Sequence, residues 1–246
     1  MDERRHGPAR RERAAPPTAL PTALPTALLA VLRLDLISAS RDGVLMLTAL
    51  LWTALAMGLA LAGLSQTALG FGALAPWLPT LLAGLLVTGP GGPAMIFGGV
   101  LIEEHETNVG AALRATPTAP IRLAATRTVL VTLATALWLL AATAALLWSW
   151  PGALPVAPGR ALLTLAPALL GLSLLAGAGA IFLAQVARNR IEALAAFKAM
   201  SVVFSVPIAL FFSPDDAWWR AVLQVSPTGP AAQAVVELAA GAERAA

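Results

Sequence analysis

Three stretches of this chain carry no charged side chain: Gly43 to Ile102, Thr128 to Gly159 and Ala161 to Ala187. A helix that crosses the roughly 30 Å hydrocarbon core of a bilayer needs about 20 apolar residues, so the first stretch is long enough to cross twice. Ser65, Gln66, Gly70, Gly72, Pro76 and Pro79 place turn residues near its middle. The pattern therefore predicts five membrane-spanning helices, at about residues 44–64, 78–101, 123–148, 161–186 and 193–212. The expected fold is an all-α, polytopic transmembrane helical bundle.

The flanks of these spans read differently. Residues 17–28 are three copies of Pro-Thr-Ala-Leu, and a proline every four residues disfavours a regular helix. Residues 1–26 are thus expected to form a disordered cytoplasmic tail, with the membrane domain occupying 27–246. In Ala27–Gly43, Leu28, Leu29, Leu32, Leu36 and Ile37 share one helical face while Arg33, Asp35 and Arg41 prevent a crossing. That combination suits a helix lying along the membrane surface. After the fifth span, Ala231–Ala240 is too short for a sixth crossing.

Composition supports lipid as the solvent: 58% of the 246 residues are hydrophobic and 12% are charged, too few polar residues to cover one soluble core. Of the sixteen Lys and Arg residues, thirteen lie in 1–42, in the loop after span two, or in the loop after span four. Basic loops stay in the cytoplasm, so the N-terminus is expected there. The same asymmetry accounts for the net charge of +3 through topology and anionic headgroups, and no nucleic-acid partner is implied. The chain contains no cysteine, which excludes disulfides and thiolate chemistry.

No catalytic or cofactor-binding constellation emerges. A phosphate loop ends in Gly-Lys-Ser/Thr, whereas the single lysine here is Lys198 in AAFKAMS, so any ATP hydrolysis must belong to another chain. The spans place no ionisable residue at mid-membrane, where ion-coupled carriers commonly need one. Ser173, Thr48, Thr53, Thr132 and Thr135 can bond their own helices. Glu103, Glu104, His105 and Glu106 are contiguous, and consecutive helical residues diverge too widely to form a facial metal site.

Three other features carry structural chemistry. Gly89-Pro90-Gly91-Gly92-Pro93 removes backbone donors in the middle of span two, as a hinge, a pathway wall or a packed kink would. Trp218 and Trp219, with Asp215, Asp216 and Arg220, have the composition of an outer interfacial belt. The acids at 103–106 end span two and lead into a short amphipathic stretch in which Val109, Ala112 and Leu113 can share a face beside Arg114, before Pro117 and Pro120. Acids at a helix C-terminus are unfavourable, so something must compensate them.

The run GVLIEEHETNVGAALRATPTAPIRLAATRTV resembles the segment between helices two and three of ABC-2 type permeases, where "E-x-E-x-G-T" precedes "L-x-x-T-P". Glu104, Glu106, Gly110, Leu113, Thr116 and Pro117 sit at matching points, with looser spacing from acid to glycine. Residues 28–238 share the resemblance, which is nearest to the small permeases of fluoroquinolone export and implies that Ser213–Val235 is an outer re-entrant segment. It implies a permease subunit in a bacterial cytoplasmic membrane, paired with a second permease copy. It also implies a separate ABC ATP-binding subunit that carries ATP-Mg and docks on residues 103–120, with Glu103 and Arg114 inside that element. Relatives continue into a sixth span that this sequence lacks. An ion-coupled carrier and a non-transporting scaffold are the alternatives, and each predicts function without an ATPase.

Overall fold

The computed structural model describes residues 33, 35, 37, 40–65, 70–106, 120–214 and 217–241. The Pro-Thr-Ala-Leu repeats lie outside the described residues. Among the described residues the chain is helical throughout, without a strand. The main helices are α1 (Gly43–Leu64), α2 (Leu78–Thr88), α3 (Gly91–Glu106), α4 (Pro120–Ser149), α5 (Pro158–Val186), α6 (Arg190–Ser205), α7 (Trp219–Val225) and α8 (Gly229–Ala240). Two seven-residue 3-10 segments, Phe71–Trp77 and Val206–Phe212, lead into α2 and continue α6.

Four apolar stretches are long enough to cross a membrane: Gly72–Glu104, Ala124–Ser149, Pro158–Val186 and Ile191–Phe212. Leu50–Leu64 is a shorter apolar helix within α1, whose 22 residues extend about 33 Å at 1.5 Å per residue. The four long stretches overlap the second to fifth spans read from the sequence, with span two divided into α2 and α3, and α1 occupies the first. The ends are set by local chemistry. Gly152, at φ 82, turns the chain between α4 and α5 in the left-handed region that glycine tolerates. Asn189 caps α6 by accepting a hydrogen bond from the Glu192 amide at 2.9 Å, and the Arg188 amide donates to the Glu192 carboxylate at 2.8 Å, a reciprocal capping arrangement.

Chain direction defines two ends of the bundle. Glu104, Arg127 and Arg188 lie at a basic end, while the exposed Trp77, Trp148 and Trp218 lie at the other, the tryptophan end. α4 and α5 pair most extensively. Gly177 makes their contact possible, since a Cβ there would lie 2.6 Å from Thr132 Oγ1. Toward the tryptophan end the core combines Leu82 and Leu86 of α2, Leu139 and Leu146 of α4, Leu165 of α5 and Val235 of α8 around Trp150. The Trp150 indole N–H donates to the Leu59 carbonyl at 2.9 Å. The outward faces stay apolar, with Leu50, Leu133, Leu137, Leu163 and Val202 exposed, as lipid contact requires.

After the Val206–Phe212 segment the chain reverses. α7 leads back inward to Ser226–Thr228, and α8 climbs again to pack on α2 and α5. The depth of this hairpin follows from one hydrogen bond: Thr228 Oγ1 donates to the Phe204 carbonyl at 2.7 Å. Phe204 precedes a seven-residue 3-10 segment of roughly 14 Å at ~2.0 Å per residue, so the turn reaches about the middle of the bilayer core. Pro207 explains the bond. Its missing N–H deprives Val203 of a donor in α-helical register and Phe204 in 3-10 register, and Ser226 reaches Val203 at 3.5 Å while Thr228 takes Phe204. Gly229 is required beside this turn, because a Cβ would lie 2.6 Å from the Gln224 carbonyl oxygen. The segment read as re-entrant is thus a helical hairpin, and α8, at 12 residues, crosses only half of the bilayer core.

Removing the Thr228 hydroxyl leaves the Phe204 carbonyl without its donor. Thr228→Val should cost about 1–2 kcal/mol in reversible unfolding from mixed micelles. Ser226→Ala, which loses longer contacts of 3.5 Å to Val203 and 3.3 Å to the Thr228 hydroxyl but leaves the bond to Phe204 in place, should cost less than Thr228→Val.

Candidate functional site

At the basic end, Arg127 is buried in the second turn of α4 and joins two acids from other elements. Its Nε and Nη2 donate to the two oxygens of Asp35 at 3.2 and 2.8 Å. Its Nη1 and Nη2 donate to those of Glu104 at 2.6 and 2.5 Å. The guanidinium is a planar fork, and each carboxylate is held in a bidentate grip that a lysine could not reproduce. Asp35 is 3% exposed and the Glu104 side chain 20%, so the cluster is shielded from water and its pairing matters.

Asp35 belongs to the helical positions before α1, Glu104 to the end of α3 and Arg127 to the start of α4. The cluster therefore fixes both ends of the segment that joins spans two and three. It also supplies the compensation that acids at the end of α3 require. Glu104, which the resemblance places in the docking element, accepts both of its bonds from Arg127 of its own chain. Arg127, read from the sequence as one basic residue of a loop, is the centre of the site.

Burial is the largest influence on Asp35 and pushes its carboxyl above the ordinary 3.8, against the lowering by Arg127, while Glu104 adds a further push upward.

The second feature is the break in span two. α2 ends at Thr88 and α3 begins at Gly91. The Gly89 amide still donates to Leu85 at 2.7 Å, and the ladder resumes with Gly92 donating to Gly89 and Ala94 to Pro90, both at 3.2 Å. Pro90 has no N–H to continue it. An aromatic ring abuts each glycine: an added Cβ would meet Trp138 at 2.6 Å from Gly89, Phe197 at 3.0 Å from Gly91 and Trp52 at 3.1 Å from Gly92. The glycines thus admit rings from α4, α6 and α1. Pro93 falls in the first turn of α3, where a missing N–H costs little. A cavity lies against Pro90 and Gly91.

The remaining residues singled out in the sequence divide as follows. Glu103 is half-buried near Glu104, and Glu106 is helical with its side chain outside the described residues. Gly110, Leu113, Arg114, Thr116 and Pro117 lie outside the described residues. Trp218 is 80% exposed at the start of the hairpin, while Trp219 packs against the cluster of Val87, Leu210 and Leu223. Thr135 and Ser173 bond their own helices, to Val131 and Leu169. A cavity of about 510 Å³ opens at the basic end between α3, α4 and α5, with Arg127 on its wall beside Phe97 and Val131.

Long apolar helices packed through small residues, with a proline break in the second span, are the architecture of a multi-pass membrane protein. The chain belongs to the family described as fluoroquinolones export permease protein Rv2686c-like, whose model matches residues 35–245. No curated protein and no solved structure matches the chain.

Removing Arg127 strands two acids in a shielded site. Arg127→Met should cost about 3–5 kcal/mol, and Asp35→Asn clearly less, because Glu104 keeps its partner. A raised Asp35 value means that the folded state binds the extra proton. Wild-type stability relative to Asp35→Asn should therefore fall as pH rises from the ordinary 3.8 to the folded value, and be level above it. Unfolding from mixed micelles across that pH range measures both effects.

Proposed function

We propose that the chain is the membrane subunit of an ATP-driven exporter. Two copies form the pathway in a bacterial cytoplasmic membrane, and the N-terminus and basic end face the cytoplasm in accord with the distribution of Lys and Arg. A separate ABC ATP-binding subunit carries ATP-Mg, since the single lysine of this chain lies outside any phosphate-loop motif. The cargo is a lipophilic drug or a lipid-like molecule, consistent with the family description.

The observation that carries this reading is the Asp35–Arg127–Glu104 cluster. It joins the base of the proposed docking element, residues 103–120, to three elements at once. A displacement imposed on that element reaches α3 and α4 together, because Arg127 spans the 23 positions that separate it from Glu104. From α3 the displacement reaches the break at Pro90, where two half-helices can change their mutual angle without breaking a continuous ladder. On this reading Glu104 is an internal strut, and Glu106, Leu113 and Arg114 are the groups that contact the partner.

The decisive experiment leaves Arg127, Asp35 and Glu104 intact. In the reconstituted complex, Leu113→Asp should weaken docking of the ATP-binding subunit by about tenfold or more, the loss of one buried anchor. Glu106→Lys should lower substrate-stimulated ATP hydrolysis while the melting of the membrane chain alone stays unchanged. Unaltered docking and hydrolysis in both variants would remove the coupling role from this segment.

A further inference from the structure

We propose that the cavity beside the Gly89–Pro93 break is a binding site for an uncharged aromatic ring of about the size of benzene. It has a volume of about 100 Å³ and is walled by Trp52 of α1, Pro90 and Gly91 of the break, and Phe197, Met200 and Phe204 of α6. Cavities of roughly 150 Å³ lined by apolar side chains stay dry and admit benzene, so this volume suits a single ring with any remaining part of the ligand left outside.

The character of the wall selects the occupant. Two hydroxyls reach it, from Thr88 and Ser201, and each is committed to its own helix: Thr88 donates to Gly84 at 2.6 Å and Ser201 to Phe197 at 2.8 Å. Among the described residues no charged side chain lines the cavity, so an ionised ligand would lose its hydration without compensation. Three aromatic side chains and the Met200 thioether instead offer ring-edge, ring-face and sulfur contacts. Gly91 keeps the site open, because a Cβ there would lie 3.0 Å from the Phe197 ring. The wider cavities, of about 510 and 600 Å³, are open grooves between helices and lack this enclosure by aromatic rings.

The site touches α1, the break, α5 and α6. A bound ring would therefore favour one angle between α2 and α3. Binding itself does not depend on ATP coupling, whereas treating the site as a station on the cargo's path rests on the function proposed above.

The test uses the full chain in lipid nanodiscs without any ATPase and reads tryptophan fluorescence. Bromobenzene, whose heavy atom quenches on contact, is compared with bromocyclohexane and 4-bromobenzoate in the wild type, Trp52→Phe and Ser201→Leu. The wild type should show a saturable quenching component with bromobenzene that is missing in Trp52→Phe. That component should be weaker by about fivefold with bromocyclohexane, the scale of an aromatic pair's preference, and absent with 4-bromobenzoate. Ser201→Leu, which fills the cavity, should shift saturation to higher concentration. If Ser201→Leu fails to fold, the comparison of wild type with Trp52→Phe decides alone. Quenching that rises linearly for every probe, or a saturable component unchanged in Trp52→Phe, would overturn the proposal. Loss of this site would leave coupling through residues 103–120 to its own test, and failure of that coupling would leave ring binding standing.

Discussion

A bilayer offers no water to a backbone group that loses its hydrogen-bond partner, and this constraint governs where the chain can depart from regular helix. Pro90, Pro93, Pro167 and Pro207 all fall within apolar spans. Pro207 frees carbonyls in the last span, and the chain meets them with hydroxyls carried in by a hairpin from another part of the sequence. Pro90 interrupts span two, and the ladder is re-formed through Gly89 and Gly92 while three aromatic rings close over the glycines. The irregularities are thus built from partners that arrive together, and they locate the hairpin, the break and the cavity.

Charge obeys a related rule. One buried guanidinium faces two carboxylates at the edge of the apolar core, where four hydrogen bonds counter part of the cost of desolvating the three groups. Such a cluster gains little net stability over an apolar packing, and its value lies in geometry: it specifies which elements meet at that end of the bundle. The energetic asymmetry between forming the cluster and losing one member makes the arrangement all-or-none. That property suits a joint between a moving surface element and the helices behind it.

Much of the fold was legible in the sequence because hydrophobic run length directly reports the thickness of the solvent. The apolar runs around 78–101 and 161–186 fall on helices, and Pro90 lies at the break between two of them. The site was less legible. Asp35 read as a residue that stops a span, and Arg127 as one of several basic residues near a loop, since charge counting ignores which groups meet across 92 positions of chain. The available signal was the coincidence of two acids and one arginine at the same end of three adjacent elements, together with the unfavourable position of Glu104 at a helix C-terminus. The aromatic collar was hidden for a similar reason: glycines announce close approach without naming the ring that approaches.

The hairpin has a consequence for biogenesis. α8 has 12 residues, and a segment of that length is not recognised by the insertion machinery as a crossing helix, since recognition needs about 20. Its place in the membrane must come from packing on α2 and α5 and from the bond between Thr228 and Phe204, which exist only once those helices are seated. A hairpin of this kind depends on packing surfaces that the longer apolar helices provide.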